Sequence, residues 1–299
     1  MIETLGNLKR KIRSAQELKE VVRTMKTLAA VNIRPYEQAV LALAAYDRAV
    51  ELGLLACLRD TAAPTTNGTV LKASAGLTGV IVFGSDQGLV GQFNEHIAAF
   101  FLKEMSKLRG ECVVWPVGER VEDQLLEAHV QLKPSYRVPD SVAGITPLVS
   151  RILSELEQFQ ARNSLSEILL FHNRPKPGAF YEAVRRRVMP LDRTWLAELK
   201  AKTWPTRAIP DVLPQPAKTL AALVREYLFV CLFQACAESL ASENASRLAS
   251  MQRAEKNIQE LLDQIQLRYQ QQRQASIDEE LFDVVSGFEA LAGGTRRST

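Results

Sequence analysis

Apolar residues recur at spacings of three and four near both ends of the 299-residue chain, and gather into short runs between them. The longest regular stretch is Ala217 to Ser286. It follows the stop signals Pro214 and Pro216 and contains neither Gly nor Pro over its seventy residues. Such a stretch predicts one unbroken helix, a rod of about 105 Å at 1.5 Å per residue. Leu248, Met251, Ile258, Leu261, Ile265, Ile277, Leu281, Val284 and Phe288 make a seam along it that calls for a second long helix. Residues 2 to about 58 supply one: Leu5, Leu8, Ile12, Ala15, Val22, Met25 and Ala29 keep the same rhythm, with Lys and Arg opposite. Two seams at opposite ends of the sequence predict an antiparallel coiled coil. A plain helical hairpin inside a larger bundle remains open on periodicity alone.

Pro35 interrupts the first helix's pattern. Its ring removes one N–H and crowds the carbonyl of Val31, costing about 3 kcal/mol in an unrelieved helix interior. The expectation is a kink, or a break and restart, between Val31 and Pro35.

Between the helices the rhythm changes. Residues 61–79 form a hinge rich in Ala, Thr, Gly and Pro. The Gly-bounded apolar run Gly79–Gly84 predicts a buried strand. A helix at about 92–108, a strand at Glu111–Pro116 and a helix at Glu119–Ala128 follow. Then come a helix at about 145–162, a strand at Glu167–His172 and a strand near 180–189. Pro190, Pro205, Pro210, Pro214 and Pro216 mark a connector over 190–216. Alternating β and α units predict a small doubly wound sheet. The expected fold is therefore α/β with a long antiparallel coiled coil. The N- and C-terminal helices (1–60 and 217–291) form a shaft, 61–216 a central doubly wound α/β domain, and 292–299 a flexible tail.

Composition changes this picture little. A net charge of +3 offers no global field for nucleic acid. Charge is uneven, however: residues 1–34 carry eight Lys/Arg against three Asp/Glu, and 217–291 carry seven against eleven. Two helices of opposite sign attract weakly, with salt screening most of it. Cys57, Cys112, Cys231 and Cys236 form no CxxC pair and read as buried thiols of a reducing compartment. No apolar run approaches the length that spans a bilayer, and the start lacks a signal peptide's apolar core. The expected place is the cytosol, or a membrane reached through partners.

Candidate chemistry is sparse. Gly84, Gly88 and Gly91 follow a strand, but the spacing is not that of a phosphate-cradling loop and no Gly-Lys-Ser/Thr follows, so a tight turn is the better account. His96, His129 and His172 have no carboxylate or Cys at metal-ligand spacing. Asp278-Glu279-Glu280 reads as a solvated or partner-facing patch, and Arg185-Arg186-Arg187 as a solvated strand edge. No nucleophile-plus-base arrangement is present, and no catalytic, cofactor-binding or metal residue is expected.

Residues 242–291, SENASRLASMQRAEKNIQELLDQIQLRYQQQRQASIDEELFDVVSGFEAL, resemble the C-terminal helix of the gamma subunit of F-type ATP synthases. The match centres on Ser242, Glu243, Ala245, Arg247, Met251, Ala254 and Asn257, then Leu261, Leu262, Tyr269, Arg273, Gln274, Ala275, Ile277, Glu280 and Gly287. NLKRKIRSAQELKEVVRTMKTLAA (7–30), with Thr24-Met25-Lys26, is similar to that family's N-terminal helix. SDQGLVGQFNEHI (85–97) resembles its Ser-Asp-x-Gly-Leu-x-Gly-x-Phe-Asn motif. Residues 31–36, Val-Asn-Ile-Arg-Pro-Tyr, depart from the usual Lys and Arg pair and are similar to a divergent bacterial branch, some of it sodium-linked.

The resemblance implies a rotor shaft inside a ring of alternating alpha and beta subunits, its foot meeting the epsilon subunit and the membrane c-ring. It implies a subunit without catalysis of its own, within an ion-translocating complex on the cytoplasmic side of the bacterial inner membrane. By motif, Arg273, Gln274 and Asp278 (commonly Thr in the family) would grip a loop of the beta subunit. Met25 and Lys26 would lie against an acidic beta-subunit segment. Arg247 matches another sensitive family Arg, and Glu280 joins the same partner-binding set. Two other readings stay open on the residues alone: a nucleotide-binding α/β enzyme with helical arms, and a coiled-coil scaffold that tethers partners without turning.

Overall fold

The computed structural model describes residues 4–60, 77–107, 110–163, 165–176, 179–191 and 216–294, with scattered positions between 195 and 212. Most of the expected 61–79 hinge and the end of the expected tail lie outside the described residues. The elements are α1 (Leu5–Asp60), β1 (Leu77–Phe83), α2 (Phe93–Met105), β2 (Cys112–Val117), α3 (Glu119–Glu127), α4 (Val142–Arg162), β3 (Leu165–Lys176), β4 (Ala179–Met189) and α5 (Pro216–Gly294). The expected order of helices and strands is the observed one, with α5 running past Gly287. Residues 195, 197, 199 and 201, within the expected connector, are helical.

The chain divides into two compact units. One holds residues 1–27 and 249–299, the other 28–248.

The first unit is an antiparallel pair of helices. On α1 the buried positions fall at Leu8, Ala15 and Val22, seven apart; on α5 they fall at Met251, Ile258 and Ile265, again seven apart. A strict seven-residue repeat keeps one seam facing a partner helix. Ala15, Val22, Met251, Ile258 and Leu262 form one cluster, with Ile12, Met25 and Ala254 packed on it. Direction follows from polar contacts beside the seam. Lys26 pairs with Glu255, and Lys19 donates to Gln259 Oε1 at 2.5 Å. One number falls as the other rises. The expected seam needs two corrections here. Leu262, 4% exposed, is the inward residue, whereas Leu261 is 48% exposed. Ile277, Leu281 and Val284 are all exposed, because nothing in α1 covers them.

The second unit is a four-stranded sheet between helices. Strand order is β2-β1-β3-β4; β1 is parallel to β2 and β3, and β4 is antiparallel to β3. Alternation sorts the side chains. Val80, Val82, Val114, Leu169 and Phe171 pack on Ile97, Phe101, Val121 and Leu125 of α2 and α3. Ile81, Phe83, Trp115, Val117 and Leu170 face α4 and the Val230–Ala241 stretch of α5, with Tyr36, Val50 and Leu54 of α1 in the same core. Helices on both faces of a mostly parallel sheet make the expected doubly wound domain. One 18-residue window of α5 has a mean hydropathy of 1.6 with few charges, enough by length and composition to cross a bilayer. The sequence-based expectation of no such segment is corrected. The residues Val230, Cys231, Leu232, Ala235 and Cys236 of α5 are buried in this core.

Three more expectations are revised. Helical geometry continues without interruption through Val31–Tyr36, so there is no break and restart at Pro35. Tyr36 beside it is 4% exposed and sits in the core, and burying an aromatic side chain offsets much of the lost backbone bond. Arg186 is half-buried rather than solvated, because its partner across the ladder is Leu170 on the α5 face. There it donates to Gln234 Oε1 at 2.8 Å. Arg185 and Arg187 point the other way, toward Glu104 at 3.0 Å and Glu167 at 4.0 Å. Cys57, Cys231 and Cys236 are buried thiols, whereas Cys112 is only half-buried.

Candidate partner-contact surfaces

The residues marked by motif separate into three settings. Met25 and Lys26 sit on the helix pair. Met25 packs against the cluster of Ala15, Val22, Met251 and Ile258. The ammonium of Lys26 is held by Glu255, whose carboxyl is pulled below the usual range by that hydrogen bond. Lys26 thus has a partner on its own chain, one that sequence reasoning missed. Glu255 lies four residues after Met251, and that position on the seam's flank was the available signal.

Arg273, Gln274, Asp278 and Glu280 are in a different setting. From Arg273 to Ser286 every side chain is exposed except Ser276, which is half-buried. Ile277, Leu281, Phe282, Val284 and Val285 are between 47% and 72% exposed. Among the described residues no hydrogen bond or ion pair engages Arg273, Gln274, Asp278 or Glu280. The Arg273 guanidinium carries five donors in a planar fork, and none of them meets an acceptor among the described residues. Polar groups with unused bonding capacity beside bare apolar ones resemble an interface before its partner arrives.

Arg247 belongs to the sheet domain. Its Nη2 donates to Glu243 Oε1 at 2.6 Å, one turn back on α5. Glu243 is 6% exposed, and burial pushes its carboxyl up against the pull of Arg247. Glu243 Oε2 and Arg247 Nε have no partner among the described residues.

The glycine-bearing turn after β1 is structural. A Cβ on Gly84 would meet Val121 at 2.4 Å, and one on Gly118 would meet the Ser85 backbone at 2.8 Å. The space a phosphate would need beside Gly84 is therefore filled. Ser85 and Asn94 bond twice, from the Ser85 N–H to Asn94 Oδ1 at 3.0 Å and from Asn94 Nδ2 to Ser85 Oγ at 2.9 Å. Asp86 accepts the Glu119 N–H at 3.0 Å and the Val138 N–H at 2.9 Å. The turn is then tied to α5: Ser246 Oγ donates to the Val90 carbonyl at 2.5 Å, and Ser242 Oγ to the Asn173 carbonyl at 3.1 Å. Asn173 Nδ2 in turn donates to the Phe93 carbonyl at 3.1 Å. These braces explain why Ser242 and Ser246 occupy a buried face of α5.

Among the described residues no three His, Cys, Asp or Glu side chains gather closely enough to hold an ion. His129, at φ 58°, takes the left-handed position that ends α3, where its N–H and that of Val130 bond back to Leu126 and Leu125. His96 meets the Tyr181 ring edge-on at 5.7 Å. His172 is buried with Nε2 2.8 Å from Glu238 Oε2, and burial holds its pKa below the ordinary value despite that carboxylate.

The ATP synthase family profile matches residues 4–291, nearly the whole chain. The chain belongs to the ATP synthase gamma family. Among its relatives is the ATP synthase gamma chain of Bacteroides fragilis, 25% identical over 95% of this chain and 98% of the relative. The gamma chain of Geotalea uraniireducens is 27% identical over 97% and 99%. The fold is similar to a chain of the Euglena gracilis mitochondrial ATP synthase OSCP/F1/c-ring assembly, with a TM-score of 0.67 and 15% identity over 99% of this chain and 98% of that one. A chain of the Tetrahymena thermophila central stalk and c-ring structure matches with a TM-score of 0.58 at 21% identity, over 78% of this chain and 99% of that one. For a gamma-family chain the scaffold and nucleotide-enzyme readings lose their support.

Proposed function

We propose that this gamma-family chain is the central rotor shaft of an F-type ATP synthase and passes torque through the bare stretch of α5. The observation that carries the reading is that α5 continues from Arg273 to Ser286 with an exposed apolar and polar surface after its pairing with α1 has ended. In the assembly that stretch is covered by the ring of alpha and beta subunits. Arg273 and Gln274 grip backbone carbonyls or a carboxylate of a beta-subunit loop, with Asp278 and Glu280 one to two turns further on. Met25 and Lys26 pass an acidic beta-subunit segment, and Arg247 supports the same helix from the sheet domain. That domain forms the foot, meeting the epsilon subunit and the membrane c-ring.

The chain supplies no catalytic residue. Ion flow turns the c-ring and foot, and the shaft presents a different face to each beta subunit in turn. Each catalytic site then shifts between conformations of different nucleotide affinity, because the shaft contacts those conformations unequally. A helix without Gly or Pro over seventy residues suits this, since a compliant one stores twist. The place of work is the cytoplasmic face of the bacterial inner membrane, held through partners.

The test is an assembled complex of this chain with its alpha and beta subunits. Replacing Arg273 and Gln274 with Ala is expected to leave the isolated chain's melting unchanged and to lower ATP turnover severalfold. Unchanged turnover in a fully assembled complex removes both residues from the mechanism.

A further inference from the structure

Glu243 and Arg247 each keep one buried polar atom without a partner among the described residues, the carboxylate Oε2 and the guanidinium Nε. Their Oε1 and Nη2 atoms hold each other at 2.6 Å, one turn apart on α5. The pair is thus left with a buried acceptor and a buried donor. Buried polar groups are nearly always bonded, so two open ones on neighbouring side chains mark a place for a further group. Both side chains line a half-open, polar cavity of about 250 Å³. Buried Tyr36 and Asn244 lie deep in it, and exposed Asn32 and Gln87 lie at its rim.

A charged occupant does not suit these walls. Glu243 and Arg247 balance each other, and both Asp86 oxygens already accept backbone N–H groups. An ion would lose hydration there without gaining a free counter-charge in the buried wall. A neutral group that offers an N–H and a C=O leaves the balance intact. The carboxamide of Asn or Gln is such a group, and it stands at the end of a side chain that can reach into a cavity.

The turn beside the cavity carries an independent sign of contact with another chain. Leu89, two residues after Gln87, has a φ of 63° and is 59% exposed. Left-handed backbone at a bulky residue is strained and persists only where its surroundings hold it. Here Asp86 fixes the start of the turn, and the Ser246 hydroxyl holds the Val90 carbonyl just after Leu89. Nothing inside the chain uses the apolar side chain presented in this way.

We propose that the cavity receives the side-chain carboxamide of an Asn or Gln from a partner chain. Its N–H₂ donates to Glu243 Oε2, its C=O accepts from Arg247 Nε, and an apolar neighbour in the partner covers Leu89. The choice of complex in which to seek that partner rests on the rotor reading; the chemistry of the socket does not.

Acetamide is the probe, titrated into the full-length chain while NMR follows the Arg247 Nε–H. A saturable shift is expected, with an affinity on the order of 10 mM for so few atoms. Acetate and methylguanidinium, each offering half of the match, should bind at least fivefold more weakly. Glu243→Gln, which puts an N–H₂ where Oε2 stood, should weaken acetamide at least fivefold. Leu89→Asn is exposed and readily takes left-handed backbone. It should melt and bind acetamide like the parent, yet weaken assembly with alpha and beta subunits severalfold, which separates lost docking from lost folding. No saturable acetamide shift overturns the proposal, and so does acetate binding as tightly as acetamide. If N-methylacetamide, the analogue of a backbone peptide, binds more tightly than acetamide, the occupant is not a side chain and the proposal is overturned. Unchanged assembly of both variants overturns it as well. The acetamide titration involves neither Arg273 nor Gln274, so its failure is distinguishable from failure of the rotor reading.

Discussion

Met251–Ile265 and Arg273–Ser286 are two stretches of one helix with one apolar rhythm, yet their surfaces are opposite. In the first, Met251, Ile258, Leu262 and Ile265 are at most 9% exposed under α1. In the second, Ile277, Leu281 and Val284 are 53–70% exposed, and every side chain around them but Ser276 is exposed too. Propensity and periodicity do not distinguish the two. The length of the partner does: α1 begins at Leu5, and its pairing with α5 is used up by then. An apolar seam therefore states that a helix has a partner, without saying whether that partner is in the same chain.

Substitution gives the largest separation between the two stretches. Leu262→Ala, in the covered stretch, should cost about 2–4 kcal/mol, as for other buried leucines. Leu281→Ala, in the bare stretch, should stay within about 0.5 kcal/mol of the parent. Urea melting of the full chain measures both. Comparable costs would mean that the bare stretch is covered in the free chain.

Acid sharpens a second contrast, between the buried sheet domain and the helix pair. His172 holds its proton less tightly when folded than an unfolded histidine does, because burial disfavours the charged ring. The groups facing it are Glu238, which favours the cation, and Arg186 and Arg174, which oppose it. Below about pH 6.5 the unfolded chain binds the extra proton. The stability tied to neutral His172 is thus complete above that pH and is lost as pH falls, by at most about 1.4 kcal/mol per pH unit. His172→Gln should flatten the melting of the sheet domain between pH 6.5 and 5 and leave the helix pair's response unchanged.

The smallest effect is expected at the ion pair on the helix seam. Lys26→Ala should barely move the melting temperature, since partly exposed pairs contribute little. The Glu255 carboxyl, now held below its usual range by Lys26, should rise toward it, as read by NMR titration. An unmoved Glu255 would show that the pair does not form in solution.

Legibility in the sequence followed the range of the interaction. The two long helices were readable because an apolar spacing of three and four is a local property, as is the lack of Gly and Pro from Ala217 to Ser286. The first strand was readable because Gly79 and Gly84 bracket an apolar run, although β1 itself begins at Leu77. Arg186 was misjudged because alternation gives two faces without saying which lies under α5; only pairing with Leu170 decides that. Pro35 was judged by its local cost alone, while the burial of Tyr36 beside it depends on a core assembled from distant residues. Leu261 and Leu262 are adjacent and chemically identical, so the choice between them rested on the register against α1. The partner-contact residues came from resemblance. Their exposure fits that role, but the pairing of Lys26 with Glu255 depends on the register of α1 against α5, and the unpartnered Glu243 Oε2 on a core assembled from distant residues.

The most direct measurement is hydrogen exchange along α5, in the free chain and in the complex with alpha and beta subunits. In the free chain, amides of Arg273–Ser286 should exchange faster than those of Met251–Ile265, which pack under α1. On assembly, protection of Arg273–Ser286 should rise tenfold or more, with a smaller change in the covered stretch. If Arg273–Ser286 exchanges as fast in the assembled complex as in the free chain, the bare stretch is not where the shaft meets its ring.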